Sequence, residues 1–263
     1  MSSLPNPNDF KDFTAILSKN IKFDDTEKKY DLEKIHFAMK KNVIPSGYIS
    51  KLLDVEILKY SDITQDVLKN CILYDKMNDS IAIALKEDEK IMAIVIQKSF
   101  DEDEEIIRWK TLGSKKYIPY KIRDNTKVVF IFIGMKEFLL MELLELNYIV
   151  PQSDSIVKGL DSNKQWIEDI KPLIQDKLII YVNENDKSSR ELIEPLKTEL
   201  KGHSKLLNID INSLYLFYII TNGGSVQDLK IGFDFIDLCN LFKDMESIEI
   251  TLKEFIEMEL NNE

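Results

Sequence analysis

The sequence predicts an α/β protein, on three observations. Two apolar stretches, Lys127 to Ile133 (Lys-Val-Val-Phe-Ile-Phe-Ile) and Lys177 to Asn183 (Lys-Leu-Ile-Ile-Tyr-Val-Asn), lack the alternation of a half-exposed strand and read as strands buried on both faces. Each leads into a helical stretch, Met135 to Leu146 after the first and Ser189 to Leu200 after the second. A third short strand, Leu206 to Ile211, follows. Strand-helix-strand-helix-strand with apolar strands implies a parallel sheet with right-handed crossovers and flanking helices.

The chain ahead of this unit has a different rhythm. Asp9 to Ile21 places Phe10, Phe13, Ile16 and Leu17 at helical spacing, and Leu32 to Met39 carries Ile35, Phe37 and Met39. Pro45-Ser46-Gly47 is a break after which Ser46 can cap a helix through Ile49, Leu52 and Leu53. Residues 1–70 are therefore expected to form a helical N-terminal preface. From Cys71 the period shortens: Cys71 to Tyr74, Ile81 to Leu85, Ile91 to Ile96 and Ile106 to Trp109 are β-branched or aromatic runs separated by polar turns. Short connections between successive strands imply an antiparallel meander, a strand-rich subdomain over 71–125. The acidic run Asp101 to Glu105 reads as a solvated loop, since consecutive carboxylates point in different directions. The α/β domain takes 126–263. There Ser213 to Ile220 is apolar, Asn222-Gly223-Gly224-Ser225 is a turn, and Phe233 to Phe242 and Leu252 to Leu260 are closing helices.

Composition narrows the classes. With 263 residues, 44% hydrophobic, the chain can bury a core without staples, and 8 Gly and 7 Pro exclude a collagenous or low-complexity chain. Against 35 basic side chains stand 46 acidic ones, a net charge of −11, so the molecule repels phosphate backbones except where a local basic face overrides the average. Cys71 and Cys239 lie in apolar contexts far apart, without metal-ligand spacing, which suits a reducing cytoplasm. The N-terminus lacks a signal-peptide pattern and no stretch approaches 18 uninterrupted apolar residues, so no membrane association is expected. No GxSxG, Walker A, GxGxxG or HExxH pattern occurs. His36 and His203 are expected as surface or capping residues, and Trp166 as a helix anchor.

Ligands of parallel α/β sheets gather at the carboxyl ends of strands. Those positions hold Gly134-Met135-Lys136-Glu137 and Asn183-Glu184-Asn185-Asp186-Lys187-Ser188-Ser189. Glu184 and Asp186, two apart in a turn, can converge on a hard cation such as Mg²⁺, and Glu137 from the neighbouring strand end would complete a carboxylate cluster of the kind that holds phosphate-bound metal.

In order and spacing these segments resemble the Toprim domain, shared by bacterial primases, type IA and type II topoisomerases, and some nucleases and recombination proteins. Phe132-Ile133-Gly134-Met135-Lys136-Glu137 is similar to that family's strand ending in Glu-Gly with an acid three residues past the Gly. Glu184-Asn185-Asp186-Lys187-Ser188-Ser189 is similar to its Asp-x-Asp-x-x-Gly. Trp109 to Tyr120 resembles the strand-rich segment ahead of Toprim in primases, and the likeness spans roughly residues 70 to 230. It implies a Toprim-like parallel sheet, Mg²⁺ as cofactor held by Glu137, Glu184 and Asp186 with Asp210 or Asp228 as a further ligand, and phosphoryl transfer on nucleic acid. The departures are specific. Ile133 stands where the family's glutamate acts as general acid or base, Glu184 replaces the first Asp, and Ser189 replaces the turn glycine.

Lys110, Lys115, Lys116, Lys121 and Arg123, interleaved with Trp109, Tyr117 and Tyr120, form a basic and aromatic patch. Cations tracking phosphates and rings stacking bases are what a single-strand groove uses, and lysines discouraging edge-to-edge strand pairing are the alternative. Three readings of function follow. The leading one is a catalytically degenerate, primase-related protein that binds single-stranded DNA or RNA, or scaffolds a replication-associated protein in replication or mobile-element maintenance. The others are an active Mg²⁺-dependent primase or nuclease and a protein-interaction module using the acidic surface.

Overall fold

A computed structural model describes residues 30–45, 48, 70–97, 109–123, 125–153, 165–184, 187–223, 225, 233–242 and 244–262. The expected helices at Asp9 to Ile21 and after Ser46, the run Asp101 to Glu105, Asp186 and Asp228 lie outside the described residues. The chain divides into two compact units: one takes in the described residues up to Pro45 with Cys71–Lys115, the other contains Lys116–Glu263.

The first unit is a helix on an antiparallel sheet. Helix α1 (Leu32–Lys40) starts at Asp31, whose carboxylate accepts from the Lys34 N–H at 3.1 Å. Strands β1 (Ile72–Asp75), β2 (Ser80–Glu87), β3 (Lys90–Gln97) and β4 (Trp109–Gly113) pair in sequence order, each antiparallel to the last. The expected meander is present, with its fourth strand lying later in the chain than the apolar run at Ile106. Alternation assigns the two faces. Leu73, Ala82, Ala84, Ile94, Ile96 and Leu112 gather with Ile35 and Met39 of α1. Ile81, Ile83, Leu85, Ala93 and Val95 point the other way and are buried as well, which is why these strands read as apolar runs. Gly113 ends β4 at φ +85°, where an added Cβ would sit 2.7 Å from both Leu32 Cδ1 and the Met92 carbonyl oxygen. Only glycine fits where helix and strand come this close.

The second unit is an α/β sheet with helices on both faces. Its strands are β5 (Tyr120–Lys121), β6 (Val128–Ile131), β7 (Tyr148–Ile149), β8 (Leu178–Asn183) and β9 (Lys205–Asp210), in the order β5-β7-β6-β8-β9. β7, β6, β8 and β9 are parallel, and β5 is antiparallel to β7. The sheet is thus mixed rather than wholly parallel, and β5 and β7 were not foreseen because two-residue strands carry no periodicity to read.

Register separates the faces here too. Val129, Ile131, Ile149, Ile179 and Tyr181 pack with Trp166, Ile167, Ile170 and Ile174 of α3 (Gln165–Ile174) and with Leu196 and Leu200 of α5 (Ile193–Leu200). Trp166 is the buried anchor expected of it. On the opposite face the Phe138 ring of α2 (Met135–Leu143) meets Tyr148 edge-on at 5.7 Å. There too Phe132 lies 4.8 Å from Phe235 of α7 (Phe235–Cys239). The helical stretch at Ser189 to Leu200 is two helices, α4 (Lys187–Glu191) and α5. The apolar run at Ser213 to Ile220 lies in α6 (Ile211–Asn222), closed by Gly223 at φ +74°. Helix α8 (Met245–Asn262) is the last of the described elements, with Phe255 against Phe217 of α6 at 5.3 Å.

Candidate functional site

From β6 the chain leaves for α2 on one face of the sheet, and from the adjacent β8 it leaves for α4 and α5, of which α5 packs on the other. That reversal is a topological switch point, and a crevice outside the carboxyl ends of two such strands is where open α/β sheets take ligands. Glu137 lies in the first turn of α2, which follows β6, and Glu184 directly follows β8.

Several of the described residues there have a structural role. Gly134 is the N-cap of α2 at φ +123°, with its N–H donated to the Pro151 carbonyl at 2.9 Å. A Cβ on Gly134 would run into Glu137 Oε2, so the Glu137 carboxylate is folded back over its own helix terminus, and the residue is only 7% exposed. A carboxylate in the first turn is favoured by the helix dipole by about 0.3–1 kcal/mol. Cys239 of α7 lies beside it: burial pushes the thiol well above its ordinary value, and the Asp234 and Glu137 carboxylates push it further. Asp234 and Asp237 form a reciprocal capping box on α7, with N–H to carboxylate distances of 2.7 and 3.2 Å. The Asp-Phe-Ile-Asp sequence at 234–237, ahead of an apolar run, is the signal that would have found it.

At the end of β8, Asn183 is buried and donates through Nδ2 to Asn208 Oδ1 and the Ile209 carbonyl, each at 3.0 Å. Ser189, standing where the resemblance has a turn glycine, is buried in α4. Its Oγ accepts from the Glu184 N–H at 2.9 Å and lies 2.8 Å from Tyr181 Oη, which also donates to the Ser189 carbonyl at 2.9 Å. The hydroxyl therefore ties the loop after β8 to the core strand. Ile133 packs against the apolar cluster of Ile131, Ile149 and Tyr181. Asp210 caps α6, accepting from the Asn212 backbone N–H at 3.0 Å and its side-chain Nδ2 at 2.9 Å. Among the described residues no three His, Cys, Asp or Glu side chains are grouped as for a metal ion.

The basic patch divides between the units: Lys110 and Lys115 belong to the first, Lys116, Lys121 and Arg123 to the second. Lys115 and Lys116 are exposed in a turn. Lys121 Nζ is 3.3 Å from Glu142 of α2, which also accepts from the Tyr148 hydroxyl, and Arg123 is 3.8 Å from Glu145. His203 sits in a turn with Nδ1 3.3 Å from Gln175 Oε1. His36 is half-buried on α1, with its Nε2 turned away from solvent.

Comparison with protein-family models, curated proteins and solved structures returns no match to this chain. No described helix is long and apolar enough to cross a membrane.

Proposed function

We propose that this chain is a Toprim-like, primase-related cytoplasmic protein whose catalytic motif has degenerated, and that it serves replication or mobile-element maintenance by binding single-stranded nucleic acid or scaffolding a partner. The packing of Ile133 carries the reading. The position that the resemblance assigns to a proton-transferring glutamate is an aliphatic side chain set against a core cluster, and isoleucine neither binds metal nor moves a proton. Supporting it, Ser189 replaces the turn glycine with a hydroxyl that has a structural task, and the Glu137 carboxylate turns back over the terminus of α2. Exposed Lys115 and Lys116 are the cations best presented to a phosphate chain.

Two measurements test it. Fluorescence anisotropy with a labelled single-stranded oligonucleotide should show weak, salt-sensitive binding that Lys115→Glu with Lys116→Glu reduces. An affinity unchanged by the substitutions would remove nucleic-acid binding through this patch. Isothermal titration with Mg²⁺ should give no heat at millimolar metal. Heat abolished by Asp186→Ala would instead support the active enzyme.

A further inference from the structure

We propose that His36 makes the docking of α1 on the antiparallel sheet sensitive to protons, so that mild acid loosens the helix from the face formed by Leu73, Ala82, Ala84, Ile94 and Leu112. The imidazole lies on α1 between Ile35, which is buried against that face, and the partly exposed Phe37. Its Nε2 is sealed from solvent and has no hydrogen-bond partner among the described residues. A neutral ring tolerates this by leaving Nε2 as the unprotonated nitrogen. An imidazolium does not, because both nitrogens must then donate and the buried one meets no acceptor. The charged groups around the ring, among the described residues, add to the effect: Lys86 of β2 and Lys40 of α1 are cations, while Glu33 of α1 is the acid. Glu33 also accepts from the Ile91 N–H of β3 at 3.3 Å, so part of its carboxylate is engaged in holding helix to sheet. Burial first and the two lysines next hold the ring's proton affinity below the ordinary histidine value.

The sign follows. The docked state favours the neutral ring, so docking is full above the free histidine value of about 6.5 and weakens as pH falls below it, levelling off once the docked ring itself is charged. Each unit of depression corresponds to about a tenfold shift in the opening equilibrium. Asp31, the α1 cap, is held below the usual carboxylate range by its bonds to Lys34 and titrates at lower pH, leaving the window from about pH 5 to 7 to the histidine.

The test is amide hydrogen exchange on the full chain between about pH 5 and 7.5, corrected for intrinsic rates. Protection of α1 should fall several-fold on acidification while that of β2 and β3 holds, and His36→Gln should abolish the difference. Protection of α1 that is independent of pH, that falls in parallel with the strands, or that still falls in His36→Gln overturns the proposal. Should that variant fail to fold, imidazole NMR of the wild type, with His203→Gln to assign the two rings, decides. A His36 midpoint below about 6.5 supports the proposal, and one at or above it overturns it.

Discussion

The Ser189 hydroxyl, buried in α4, ties the loop after β8 to the core strand. The hydroxyl adds hydrogen bonds that a glycine side chain could not make, accepting from the Glu184 N–H and meeting the Tyr181 hydroxyl, which also donates to the residue's own carbonyl. Ser189→Gly should therefore destabilise the protein by about 1–3 kcal/mol, the cost of leaving buried partners unsatisfied, read as a lower urea midpoint at unchanged slope. A wild-type midpoint would mean that water replaces the hydroxyl without loss. Cys239 makes a second prediction at this scale. Its burial and the neighbouring carboxylates keep the thiol protonated, so alkylation mapped by mass spectrometry should leave Cys239 unmodified in the native protein at pH 8 and modify it after unfolding. Native-state labelling of Cys239 would show that α7 opens readily.

At the scale of elements, the ends are where sequence chemistry is most specific. The capping box on α7 satisfies two backbone N–H groups with two short side chains, and Asp234→Ala should cost about 1 kcal/mol. The double variant Asp234→Ala with Asp237→Ala should cost less than the sum of the singles, because each carboxylate completes the other's turn; additive losses in a double-mutant cycle would argue that they act separately. At β4, Gly113→Ala places a methyl group against Leu32 and a carbonyl oxygen in a backbone conformation hostile to side chains, so a loss of about 1–3 kcal/mol is expected. If thermal unfolding of Gly113→Ala matches the wild type, α1 can shift away from the strand at little cost.

For the whole molecule, the net charge of −11 and the carboxylates at the switch point pull in opposite directions on function. An acidic chain weakens its own contact with phosphate, while carboxylates that converged after β6 and β8 would invite a cation. A protein binding Mg²⁺ with a dissociation constant near 1 mM would gain about 1.4 kcal/mol at about 10 mM metal, enough to raise the melting temperature by a few degrees. The degenerate reading predicts a melting temperature insensitive to Mg²⁺ and to its chelation. A metal-dependent rise lost in Glu137→Gln would restore the enzyme reading and assign Glu137 to it.

Much of this was legible in the residues. The uninterrupted apolar runs at 127–133 and 177–183 required strands covered on both faces, and their alternation with helical stretches left few arrangements besides a mainly parallel sheet. Short β-branched runs with polar turns between them determined the meander. Other features were settled by contacts between residues distant in the chain. The switch point between β6 and β8 depends on strand order, which periodicity does not encode. Asp210, which the resemblance offers as a further ligand, caps α6 by accepting from Asn212. His36, read from sequence as a surface or capping residue, is half-buried, because α1 lies down on the sheet with one ring nitrogen inside. Sequence determined which segments must be covered, since hydrophobicity and period are properties of the chain; tertiary structure decided which polar groups were covered with them, since burial depends on what packs above.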